Sequence, residues 1–71
     1  MNNIKVYVLY RDIDAEIIGV YASVDAAVAA AKPKRGDDTT LDVGPIEADG
    51  TPAYIDAGGY MHFVFAYEVQ E

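Results

Sequence analysis

The stretch that most constrains the fold runs from Tyr60 to Val69, where alternate residues form an unbroken apolar row. Met61, Phe63, Phe65, Tyr67 and Val69 make that row, and Tyr60, His62, Val64, Ala66, Glu68 and Gln70 make a mixed one. A period of two, rich in aromatic and β-branched residues and free of internal Gly or Pro, specifies a strand with one face on a core. The expectation is a central strand whose Met61 to Val69 row points inward. Full burial of a side chain such as Phe63 or Phe65 contributes roughly 1.5–3 kcal/mol.

Upstream, Ile4 to Tyr10 also alternates, with Ile4, Val6, Val8 and Tyr10 on one side and Lys5, Tyr7 and Leu9 on the other. Arg11 to Glu16 breaks the pattern and Ile17 to Tyr21 resumes it, a spacing that predicts an antiparallel hairpin. A one-residue change in the loop exchanges Ile17 and Ile18 between faces, so the register stays open. The preferred register puts Val6 and Val8 with Ile18 and Val20. It leaves Tyr7, Leu9 and Tyr21 together on the opposite face, the one expected to lie uncovered.

Ser23 is a strong N-cap and Asp25 complements the dipole of the first helical turn. Val24, Ala27, Val28 and Ala31 follow helical spacing, which predicts one short amphipathic helix lying close to a sheet. Lys32 suits the C-terminal dipole, and Pro33 and Gly36 end the helix. Leu41-Asp42-Val43 reads as a short strand, with Gly44-Pro45 marking a bulge or an edge. Asp49-Gly50 predicts a turn and Pro52 to Asp56 a return strand; Gly58-Gly59 then leads into the long strand. The fold class is α+β, an antiparallel sheet of four to five strands with one helix on one face, in the order β-β-α-β-β-β. With no repeat, low-complexity tract or linker, residues 1–71 form a single domain.

A chain of 71 residues is near the size at which one core leaves a thin margin of stability. Cysteine is absent and histidine occurs once, so neither a disulfide, a thiolate zinc site nor an imidazole-rich metal site is available as a supplement. A partner subunit is the expected one, with a homodimer foremost. No stretch approaches the roughly 20 apolar residues of a membrane span, and the N-terminus lacks a signal-peptide layout. A soluble, cytoplasmic protein is therefore expected. Twelve acidic and five basic residues give a net charge of −7, which repels nucleic acid and anionic membrane and favours a basic protein surface. Solubility alone is the other reading of that charge.

Catalytic constellations are missing. Ser23, the sole serine, is explained as a cap, and His62 is expected as a surface or partner-facing imidazole, so no nucleophile has a positioned base. Asp12-Ile13-Asp14-Ala15-Glu16 spaces carboxylates as the start of a calcium loop does, but Ile17 stands where that loop needs glycine and Ser23 where it needs glutamate. An acidic hairpin tip is the reading that remains. Gly58-Gly59 precedes no helix and so makes no phosphate cradle. Lys32-Pro33-Lys34-Arg35 is followed at once by Asp37 and Asp38, as at a solvated helix exit rather than a nucleic-acid patch. Tyr7, Tyr21, Tyr54 and Tyr60 could stack bases, yet the basic frame such surfaces need is lacking. No catalytic, cofactor or metal residue is expected.

Val6 to Tyr10, Ile17 to Tyr21, the Ser23-led Asp25-Ala26-Ala27 and the Tyr67-Glu68-Val69 ending together resemble small ββα-type proteins of bacteriophages and other mobile elements. By size and acidity the chain is also similar to anti-CRISPR and other anti-defence inhibitors. The resemblance implies a non-enzymatic protein that inhibits a host defence, CRISPR-like or nucleic-acid-binding protein by occupying its basic surface. The charges to test are Asp12, Asp14, Glu16, Asp37, Asp38, Asp42, Glu47 and Asp49, and the sheet-face interface is Tyr7, Leu9 and Tyr21. The alternative is a homo-oligomeric structural or regulatory domain whose acidity only aids solubility.

Overall fold

The computed structural model describes residues 3–31 and 41–70. Its elements are β1 (Asn3–Arg11), β2 (Glu16–Tyr21), α1 (Val24–Ala30), β3 (Leu41–Val43), β4 (Ile55–Ala57) and β5 (Tyr60–Gln70). They form a five-stranded sheet in the order β2-β1-β5-β4-β3, with every neighbouring pair antiparallel. The molecule is mostly sheet, and α1, of seven residues, packs on one side against β1 and β2.

Local chemistry accounts for the joints. Ser23 caps α1 by accepting a hydrogen bond from the Ala26 N–H at 3.1 Å. Gly58 and Gly59, at φ of 59° and 102°, supply the two left-handed positions of the tight β4–β5 hairpin that pairs Ala57 with Tyr60. β3 and β4 continue beyond the sheet as an irregular hairpin arm. There Gly44 N–H donates to Tyr54 C=O at 2.9 Å, Ala53 N–H to Pro45 C=O at 2.8 Å, and Ile46 meets Pro52 in a single bridge. The return strand is therefore Ile55–Ala57 rather than Pro52 to Asp56, because Pro45 and Pro52 lack the N–H groups that a regular ladder needs.

The long strand turns the opposite way from the expectation. Its mixed row is the covered one: His62 and Val64 are buried, while Phe65, Tyr67 and Val69 are 44%, 56% and 46% exposed. Register carries this across the sheet. Leu9 pairs with Val64 and Tyr7 with Ala66 on the helix side, whereas Val8 pairs with Phe65, Val6 with Tyr67 and Tyr10 with Phe63 on the other. Leu9, Ala27, Ala31, Ile55, Ala57 and Val64 make the core, with Tyr7, Ile18, Tyr21, Val28 and Ala30 packed on it. The physical reason is what covers this side: α1 packs on β1 and β2, and Thr51, Pro52 and Ala53 of the hairpin arm lie along β5 beside Val64, so the residues between them lose their solvent while the opposite row keeps it.

In the β1–β2 ladder Tyr7 pairs with Tyr21 and Val8 with Val20, and a bulge intervenes between Leu9 and Tyr10. Ile18 falls at that bulge and packs on the core, so it leaves the Val6, Val8 and Val20 face. The helix-exit segment Lys32 to Gly36, with Asp37 and Asp38, lies outside the described residues.

Candidate protein-binding face

The side of the sheet away from α1 is built from two uninterrupted rows. Ile4, Val6, Val8 and Tyr10 come from β1, and Met61, Phe63, Phe65, Tyr67 and Val69 from β5. Ile17 and Val20 extend the face onto β2 opposite Tyr10 and Val8, at 62% and 59% exposed. The Tyr10 and Phe65 rings meet edge to face, with centroids 6.1 Å apart, so the face is ordered by its own contacts. Towards β4 and β3 its character changes, because Asp56 pairs with Met61 and Asp42 with Asp56. An apolar field thus ends in a carboxylate margin.

Tyr7, Leu9 and Tyr21 do not belong to this surface. They share a face, as the register argument held, but it is the face under the helix: Leu9 is fully buried and both tyrosines pack on the core. An open apolar face does exist, and its residues are the other set.

His62 is likewise not on the surface. It is fully buried, its Nδ1 lies 3.0 Å from the Tyr60 carbonyl oxygen, and its Nε2 has no partner. The carbonyl can only accept, so Nδ1–H is the donor of that bond. No nucleophile is placed beside His62 by any contact described.

The acidic residues fall into separate groups. In the β1–β2 hairpin, Arg11 makes a two-point contact with Asp14, at 3.1 Å from Nε and 2.6 Å from a terminal nitrogen, and reaches Glu16 at 3.3 Å. The Arg11 hydrogen bond, with its charge, holds the Asp14 carboxyl below its usual range, and the same contact raises Arg11. Two of the three hairpin carboxylates thereby share one positive charge within the chain; Asp12 is exposed beside them. Arg11 also lies over the Tyr60 ring at 5.6 Å.

Glu47 and Asp49 sit on the irregular hairpin arm and line a groove beside β5. Asp49 accepts hydrogen bonds from the Thr51 hydroxyl at 2.6 Å and the Thr51 N–H at 3.0 Å, which hold its carboxyl below the usual range, with Lys5 adding to the effect. This group lies along residues 63–67 of β5, whereas the Arg11 cluster sits at the β1–β2 turn. The expected acidic set is therefore not one patch. Among the described residues, no three His, Asp or Glu side chains converge as metal ligands, and no helix is long and apolar enough to cross a membrane.

Comparison with protein-family models, with curated proteins and with solved structures returned no match.

Proposed function

We propose that the chain is a non-enzymatic protein-binding module that pairs with a second copy through the open face of β2, β1 and β5, and presents its acidic surface to a basic protein partner. The open face carries the reading. Its two central rows contain no charged residue, in a chain where 24% of residues are charged. Packing this face on its own copy strands no ionised group away from water. Three strands about 4.8 Å apart and some eight residues long give a projected area on the order of 400 Å², the size of the largest apolar patch on a typical monomer, which is often functional. Two copies stacked about 10 Å apart make a sandwich with both helices outward.

In that arrangement the carboxylates stay on the rim and outer surfaces, where they steer a positively charged partner. The resemblance to small phage inhibitors supplies the biological form by analogy of class: occupation of a basic surface on a host defence or nucleic-acid-binding protein in the host cytoplasm. One observation favours the second reading, a self-associating domain with merely solubilising acidity: Asp14 and Glu16 are already engaged by Arg11 within the chain.

Sedimentation equilibrium at micromolar concentration tests the interface. A dimer is expected that survives high salt and that Phe65→Lys converts into a folded monomer. A parent that is monomeric throughout would sink the proposal. Salt then separates the two readings, since capture of a basic partner weakens as ionic strength rises and an apolar self-interface does not.

A further inference from the structure

The sheet has a gap along β5. β4 pairs only with Tyr60 to His62, after which the hairpin arm that continues β3 and β4 lies along β5 without pairing to it, while the β5–β1 ladder runs on to Gln70. Which main-chain groups face the gap follows from two contacts. The Asp12 N–H donates to the Met61 carbonyl at 2.9 Å, so Met61 turns its main-chain groups to β1, and by the two-residue alternation Phe63, Phe65 and Tyr67 do the same. The tight hairpin at Gly58-Gly59 turns those of Tyr60, and so of His62, towards β4. Val64 and Ala66 therefore direct their N–H and C=O groups into the gap. Among the described residues, neither finds a main-chain partner there.

The gap is a groove of about 280 Å³, and residues 63–67 line it in unbroken succession. Successive strand residues alternate between faces, so a groove touching all five runs along the strand edge. Its far wall carries Glu47 and Asp49. Edge strands are ordinarily blunted by lysine, proline, bulges or brevity. β3 is short and β2 is bulged, whereas Phe63 to Val69 is long, aromatic-rich and without Lys, Pro or Gly.

We propose that this edge is a docking site for an extended peptide that adds to the sheet as a strand, with apolar residues alternating with lysine or arginine. The pleat dictates the alternation. Side chains on one side of an added strand lie beside Phe63, Phe65 and Tyr67 and those on the other beside Val64 and Ala66, and Glu47 and Asp49 on the same groove favour positive charge on one of the two rows. A second copy fits less well, because edge-to-edge pairing would bring its own Glu47 and Asp49 towards the same carboxylates. The proposal rests on the chain being a protein-binding module, but it uses an edge rather than the open face.

The test is titration of the isotope-labelled protein with the peptide Lys-Val-Lys-Val-Lys-Val-Lys, followed by NMR. Saturable shifts at the Val64 and Ala66 amides and at least tenfold slower exchange of both are expected. Binding should fall at least tenfold for a Glu-Val peptide of the same pattern, and for the Lys-Val peptide N-methylated at alternate residues, with the protein itself unaltered. Glu47→Lys should weaken binding several-fold. Equal binding by the N-methylated or the acidic peptide overturns the proposal, as does the absence of shifts at Val64 and Ala66 at millimolar peptide. Slow exchange of both amides in the peptide-free dimer that is lost on dilution to monomer also overturns it, since a second copy then holds the edge. Sedimentation reads the open face separately, so peptide binding and dimer formation can each fail without the other.

Discussion

At the scale of single residues, the two sides of the sheet make opposite demands. Leu9 is enclosed between β5, β2 and α1, so Leu9→Ala should cost about 2–5 kcal/mol, much of what a domain this small possesses. Phe65, nearly half exposed, should cost the isolated chain far less when truncated, about 1 kcal/mol, and should instead weaken association. Urea denaturation of both variants at a concentration where the chain is monomeric checks the contrast; a larger loss for Phe65→Ala would mean the faces are assigned the wrong way round. Asp14 gives a second prediction. Its folded carboxyl is depressed by Arg11, so the contact stabilises above the unfolded carboxylate range and is lost as pH falls through the lower folded value. Asp14→Asn should flatten the acid limb of the urea midpoint below about pH 4, by a small amount because the pair is exposed. An unchanged acid limb would remove the role given to that contact.

Among the elements, α1 is the smallest and the most exacting. Its seven residues are too few to hold together by propensity, so its cap and its packing decide whether it forms. Ser23→Ala should lower stability by about 1 kcal/mol, with loss of helical signal in circular dichroism before the sheet melts. Concerted loss of both would show that the helix is not separable from the sheet. Much of this element was legible in the sequence: the Ser23 cap forms, and Ala27 and Val28 face the core, while Ala31 is buried just beyond the helix, whose last turn ends at Ala30. So were the hairpin turns at Asp49-Gly50 and Gly58-Gly59, because their backbone demands glycine. What escaped was the inward side of β5. Alternation specifies that two rows exist and is silent on which one is covered, and the more apolar row is the one that composition alone turns inward. His62 escaped for the same reason, and the bulge that moves Ile18 leaves no mark in a pattern of two.

For the whole molecule, the bulkiest apolar side chains of the sheet lie on the side that the helix does not cover. A chain of net charge −7 that keeps both central rows of that side free of charge has the makings of a two-layer protein completed by another copy. Acidity and apolarity are thereby separated in space: carboxylates at the hairpin, at the β3–β4 margin and on the groove wall, and aromatic and branched side chains between them. The most direct test is an isotope-filtered NOE experiment on a mixed dimer of labelled and unlabelled chains. Intermolecular contacts are expected between the Phe63 and Phe65 rings of one copy and the Val6, Val8 and Val20 methyls of the other. Their absence, or contacts involving Ala27 and Val28 of the helix instead, would contradict an interface on the open face of β2, β1 and β5.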